Sequence, residues 1–151
     1  MASNIFKPQD YQGIVKRIEK LESTNEKEWG KMSIVQMLEH CSLQLKLGLG
    51  YIELSGYEGP GIQRTWFGRK SFLYAMPWLK GMPTPSQMNM MKNDVSPGDF
   101  SKEKNQLINL LEEVQKNRSL KPHAFFGAMN QKDWGRLIWK HLDYHLKQFG
   151  G

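Results

Sequence analysis

Hydrophobic side chains recur at three- and four-residue intervals in four separate stretches of this chain, with polar residues on the opposite side, which is the pattern of amphipathic helices. From Gln9 to Leu21, the residues Ile14, Val15, Ile18 and Leu21 share one face and lysines and glutamates the other, predicting a first helix over 9–22. A second is predicted over 33–48, where Ser33 is a good N-cap with Gln36 at the capping-box position and Ile34, Met37, Leu38, Cys41 and Leu45 form the apolar face. Gly48 and Gly50 supply its stop. A third long helix, over 99–117, carries Leu107, Leu110, Leu111 and Val114 on one side, with Asp99 or Ser101 as its cap. Asn130 caps the last, 131–149, which Gly150 and Gly151 end. No stretch alternates as a strand with a hairpin turn.

The second and third long helices are separated by the segment 49–98, and its signals are mixed. Gly56, Gly59, Pro60 and Gly61 form a turn, Ile62 to Trp78 is a candidate extra helix, and Pro77, Pro83 and Pro85 break the remainder of the segment. Met82, Met88, Met90 and Met91 crowd this stretch, where flexible thioethers suit either an adaptable pocket wall or plain gap-filling. Short connections make antiparallel neighbours and a long one permits a parallel pair. The expectation is therefore all-α: a four-helix bundle with a long crossover carrying an extra helix between the second and third bundle helices. At 151 residues the chain has the length of one domain, 1–151, with enough material for a single core.

Composition narrows the function classes. The chain is 39% hydrophobic and 24% charged, as a globular protein is, with the charges spread rather than blocked. A net charge of +6 raises the question of nucleic acid, but no basic stripe interleaves with aromatics, so solvated helix faces are the better reading and no nucleic-acid partner is expected. No apolar run approaches the roughly 18 residues of a membrane span, and the opening residues lack the basic start and apolar stretch of a secretory signal. With a lone Cys41, which excludes an internal disulfide, these features point to the cytoplasm.

The chemistry concentrates in histidines. His141 and His145 lie four residues apart on the last helix, so their side chains project within roughly 40° of each other. Trp134, Ile138 and Phe149 share that face, while Arg136, Lys140, Asp143 and Lys147 point the other way, so both imidazoles aim into the bundle. His40, between Met37 and Cys41 on the second helix, faces the axis from a different direction. Two histidines four apart are only moderately specific by themselves, and some are satisfied core residues. Burying two imidazoles without partners, however, costs on the order of a few kcal/mol, which a metal ion removes by taking their lone pairs. Three histidines from two helices would leave coordination positions open, the arrangement of a catalytic rather than a structural site. A nitrogen-rich set of this kind suits zinc or nickel best among divalent transition metals.

The residues carrying this pattern also resemble a known family. Trp29-Gly-Lys-Met-Ser-x-x-Gln-Met-Leu-x-His40-Cys and His123-x-Phe-Phe-Gly-x-Met-x-x-x-x-Trp134-Gly-x-Leu-x-x-Lys-His141-Leu-x-x-His145 look like the DinB/YfiT-like metalloenzyme superfamily, in a bacterial branch of unknown function. The likeness covers about half the chain by motif, and residues 51–98 carry no alignable motif. It implies a DinB-like four-helix bundle with metal held by one histidine of the second helix and a His-x-x-x-His pair on the last. His40, His141 and His145 match those positions. Some members are transferases or isomerases working with low-molecular-weight thiols, so the resemblance implies a metal site more strongly than a reaction.

The remaining candidates have plainer readings beside the chemical ones. His123 either lines the mouth of the site or hydrogen-bonds its loop, the structural role being preferred. Cys41 follows the apolar face and is expected to be core rather than a ligand. Trp29 and Trp134 are expected to pack the bundle end. Glu39 is the nearest general-base candidate, although it points away from His40. Tyr144 and Gln148 flank the ligand face, within reach of a metal-bound water or an outer-shell nitrogen, while Asp143 is expected to be a solvated charge. Trp66, Phe67, Phe72 and Trp78 offer a face for a homodimer. The expected function is that of a metal-dependent enzyme acting on a small-molecule substrate by activating water or a thiol, with a non-catalytic metal- or ligand-binding module as the alternative.

Overall fold

The computed structural model describes residues 1–53, 61–82 and 99–151, and among them every regular element is helical. The four long helices are α1 (Pro8–Glu19), α2 (Ile34–Leu49), α4 (Phe100–Lys116) and α5 (Gln131–Gln148); the short α3 (Trp66–Lys70) lies in the crossover. Helix α2 packs against α4 and α5, and α1 packs against the same two.

The capping chemistry read from the sequence sets most boundaries. Ser33 Oγ accepts from Gln36 N at 3.1 Å while Gln36 Oε1 accepts from Ser33 N at 2.9 Å, so two orphan amide donors of α2 are satisfied reciprocally. Asp99 accepts from Lys102 N at 2.8 Å, and Asn130 from Asp133 N at 2.8 Å. Helix α2 runs through Gly48 and stops at Gly50, whose φ of +83° is the left-handed cap conformation that a side chain would strain. Helix α1 starts at Pro8, which needs no amide partner in the first turn, and ends at Glu19 rather than at residue 22.

The expected core positions are buried, except that Val15 is only half-buried. Ile14, Ile18, Met37, Leu38, Cys41, Leu45, Leu107, Leu111 and Val114 are all at most 1% exposed. Helix α2 is central: His40, Ser42, Gln44 and Leu47 are buried as well as the predicted apolar stripe, so almost its whole circumference faces protein. Cys41 lies against Met37, Sγ to Sδ 3.8 Å, and burial pushes its thiol well above the ordinary range, as befits a core residue.

The crossover corrects one expectation. Instead of a single helix from Ile62 to Trp78, the chain makes a 3₁₀ turn at Gly61–Arg64, then α3, then a π turn at Ser71–Ala75. Thr65 causes the first break: its hydroxyl donates to Ile62 O at 2.6 Å and accepts from Gly68 N at 3.1 Å, ending one turn and capping the next. The π turn closes through Met76 N donating to Ser71 O at 2.8 Å. Of residues 61–82 only Leu73 is buried. Gly56, Gly59, Pro60, Pro83, Pro85, Met88, Met90 and Met91 lie outside the described residues. No helix among the described residues is long and apolar enough to cross a membrane.

Candidate metal centre

His40 comes from the middle of α2, and His141 and His145 from the second half of α5; the three converge in the interior with exposures of 2%, 7% and 6%. Their ring centroids stand 4.8 Å (His40 to His141), 4.7 Å (His40 to His145) and 4.6 Å (His141 to His145) apart. One ligand-type atom from each lies within 4.8 Å of the others, and His40 Nε2 and His141 Nε2 approach to 2.9 Å. Nitrogens around one tetrahedral ion, each about 2.0–2.1 Å from it, are separated by about 3.4 Å, a spacing that the 2.9 Å pair and the 4.8 Å limit of this set bracket.

Electrostatics favour the ligand form of these rings. Burial, then the nearby rings of His145, His40 and His123, holds the basicity of His141 well below the usual imidazole range. Burial and the proximity of His40 lower His145 to about 3, against the opposing hydrogen bond from Gln148. A neutral imidazole has a free lone pair, which is what a metal ion takes. His141 Nδ1 is buried with no hydrogen-bond partner.

The shell around the cluster is aromatic. Trp78 stands edge-on to His141 at 6.2 Å between centroids and to Tyr144 at 5.9 Å, and Tyr144 packs edge-on to His145 at 5.1 Å. Trp29 closes the same wall, 6.0 Å from Tyr144 and beneath the Lys80 ammonium at 4.5 Å. Tyr144 Oη donates to Leu79 O at 3.2 Å and accepts from Gly81 N at 3.1 Å, which ties the crossover over this wall. Gln148 is the residue that reaches an outer-shell nitrogen: its Oε1 lies 2.6 Å from His145 Nδ1.

Other sequence candidates fall elsewhere. Glu39 is not at the centre: it points toward α4, where Gln106 donates to its Oε2 at 3.2 Å and Lys46 stands 3.6 Å from its Oε1. Burial and the neighbouring Glu103 raise its pKa, and the general-base role lapses on geometry. His123 takes the structural role, with Phe125 N donating to its Nδ1 at 3.0 Å and its backbone bridged to Gly127. It packs on Trp134 and Phe126, and burial lowers it to about 3. Trp134 is fully buried and donates to Lys121 O at 3.1 Å. Phe72 and Trp78 are half-buried against each other at 5.0 Å, so of the proposed dimer face only Trp66 and Phe67 stand out, 67% and 70% exposed.

The outer face of α5 is less solvated than expected. Lys140 is buried, not solvated: its ammonium donates to Phe72 O at 2.7 Å and Met76 O at 2.6 Å, satisfying carbonyls at the end of the π turn. Burial and the nearby Arg136 lower its pKa to about 8. Asp143 is not a free surface charge either; it pairs with Arg17 of α1 at 2.8 Å and with Lys147 at 2.8 Å. Asp133, missed altogether, is completely buried: its Oδ1 accepts from Lys70 Nζ at 2.5 Å and Tyr74 Oη at 3.0 Å, and its Oδ2 stands 3.4 Å from Arg69 Nε as an ion pair. The sequence signal for it was available: an acidic residue in the first turn of the last helix faces an unexplained Arg69-Lys70 pair in the crossover.

A helical fold enclosing three buried, inward-facing imidazoles defines the class. The chain belongs to the family described as "Protein of unknown function (DUF1569)", whose model matches residues 6–150. No curated protein and no solved structure matches it.

Proposed function

We propose that this protein is a metal-dependent enzyme in which His40, His141 and His145 hold a divalent transition metal, zinc or nickel, that activates water or a thiol. The observation that carries the reading is the convergence of three buried imidazoles from two helices, with burial lowering the basicity of His141 and His145. The likeness to the DinB/YfiT superfamily and its bundle supports it, since the three histidines fall at that superfamily's ligand positions, and it favours a small thiol as one partner.

A bound ion would lower the pKa of water toward about 7 or stabilise a thiolate, supplying a nucleophile at neutral pH. The protein's own part is to present neutral nitrogens, to keep bulk water out with Trp78, Tyr144 and Trp29, and to leave coordination positions for the small molecule. A second reading, a metal-binding module without turnover, is favoured by one feature: the histidines are at most 7% exposed, so reactants reach them only when the crossover moves.

The decisive test is metal analysis of untagged protein beside His141→Ala. Near-stoichiometric zinc or nickel in the wild type and loss of most of it in the variant are expected, and equal content would remove the assignment. Stripping the metal separates the two readings, because a structural ion collapses the circular-dichroism spectrum on removal and a reactive centre shifts the melting temperature only modestly. Metal-loaded crystals soaked with small thiols then distinguish thiol from water chemistry by what occupies the open position.

A further inference from the structure

Gln148 lies three residues beyond His145 on α5, and both side chains are buried, each 6% exposed. Its amide is pinned at both ends. Nε2 faces Trp29 O at 3.4 Å, and Oε1 faces His145 Nδ1 at 2.6 Å. A backbone carbonyl can only accept, so the amide must present its NH₂ to Trp29 and its oxygen to the imidazole. An amide oxygen can likewise only accept, so the proton of neutral His145 must sit on Nδ1. That leaves the Nε2 lone pair of His145 free. We propose that Gln148 is a positioning residue which, through Trp29, fixes the tautomer of His145 and so selects Nε2 as the atom offered to the ion.

The segment leading into α2 is shaped for this contact. Glu28 N donates to Gln148 O at 2.7 Å, holding the end of α5 against residues 28–30. Gly30 adopts φ of +89°, and a Cβ there would stand 2.5 Å from Gln148 Nε2. A side chain at position 30 would therefore displace the amide that orients the ring, and the Trp29-Gly30 pair has a reason beyond turn formation. One imidazole thus has its outer nitrogen fixed, while His141 Nδ1 has no partner; the two histidines of α5 are not equivalent ligands. Outer-shell hydrogen bonds of this kind orient ligand rings, and their loss typically weakens metal binding about 10–100-fold.

This inference rests on the metal reading for its use but not for its test. In metal-free protein, nitrogen-15 NMR of the imidazoles is expected to show His145 as the Nδ1–H tautomer in the wild type and a shift toward Nε2–H in Gln148→Met, which keeps length and burial without an acceptor. An Nε2–H tautomer in the wild type overturns the proposal whether or not Gln148→Met folds, and so does an unchanged tautomer in a folded Gln148→Met. Competition titration with a chromophoric zinc chelator is the second readout: Gln148→Met should bind zinc about 10–100-fold more weakly. Gln148→Glu, which restores an acceptor, should recover most of that loss. Equal zinc affinity in wild type and Gln148→Met overturns the proposal. A wild type that binds no zinc or nickel sinks the metal reading instead, and the tautomer measurement still decides the role of Gln148.

Discussion

Around His141 the helices hold one another through side chains spaced for the purpose, with Leu137, Ile138 and Leu142 each at most 1% exposed. The crossover of residues 61–82 buries only Leu73 and is tied down instead by polar groups reaching across from α5: Asp133, Arg136, Lys140 and Tyr144. The two regions meet at one helix, whose histidines face inward while its charged residues grip the segment packed against them. Apolar periodicity can therefore build the centre, but it cannot place the cover. That distinction tells which substitutions should damage the whole fold and which should free the crossover alone.

The sharpest way to break the cover is Asp133→Ala. It leaves Lys70 and Arg69 without their fully buried counter-charge, at a cost of about 3 kcal/mol, the low end of the range for a broken buried pair because both cations keep some water. Chemical denaturation measures the loss, and proteolysis should cut first within the crossover.

Acid should attack the apolar side. His123 is neutral in the fold, lowered to about 3, but ordinary, near 6.5, when unfolded. Between those values the unfolded chain binds the extra proton, so stability is complete above pH 6.5 and falls as pH drops toward 3, by about 1.4 kcal/mol per pH unit from this group. Denaturation of metal-free protein at a series of pH values, compared with His123→Phe, should show the variant's slope to be shallower by about one proton.

Lys140→Met removes two strong donors from the π turn while keeping the apolar stem, and about 2 kcal/mol is expected, with hydrogen exchange accelerating in residues 71–82 more than in α2. The smallest effect belongs to Arg17→Ala. Its pair with Asp143 joins α1 to α5 away from both regions and is partly exposed, so a loss of about 0.5 kcal/mol, with unchanged metal content, is the control.

Much of this architecture was legible from spacing and caps. Ser33 with Gln36, Asp99 and Asn130 announce helix starts because their side chains satisfy amides a fixed number of residues ahead. The inward aim of His141 and His145 follows from position alone, as does the core role of Cys41. What was illegible depends on partners distant in sequence. Lys140 reads as a surface residue until the carbonyls of Phe72 and Met76 arrive, and Asp143 until Arg17 does. The break at Thr65 turns on a hydroxyl that both donates and accepts, a choice local periodicity does not encode.

Lys140 directly precedes His141, so the residue fastening the crossover and the residue offered to the ion share a peptide bond. An ion held at the proposed centre would be covered by the segment that this lysine helps to fasten. Removal by a chelator should level off as chelator is added, at a rate set by how often the ties from α5 to the crossover let go rather than by how tightly the imidazoles bind, and Lys140→Met, which removes one of those ties, should raise that ceiling. The same centre can thus be slow to exchange without being strong.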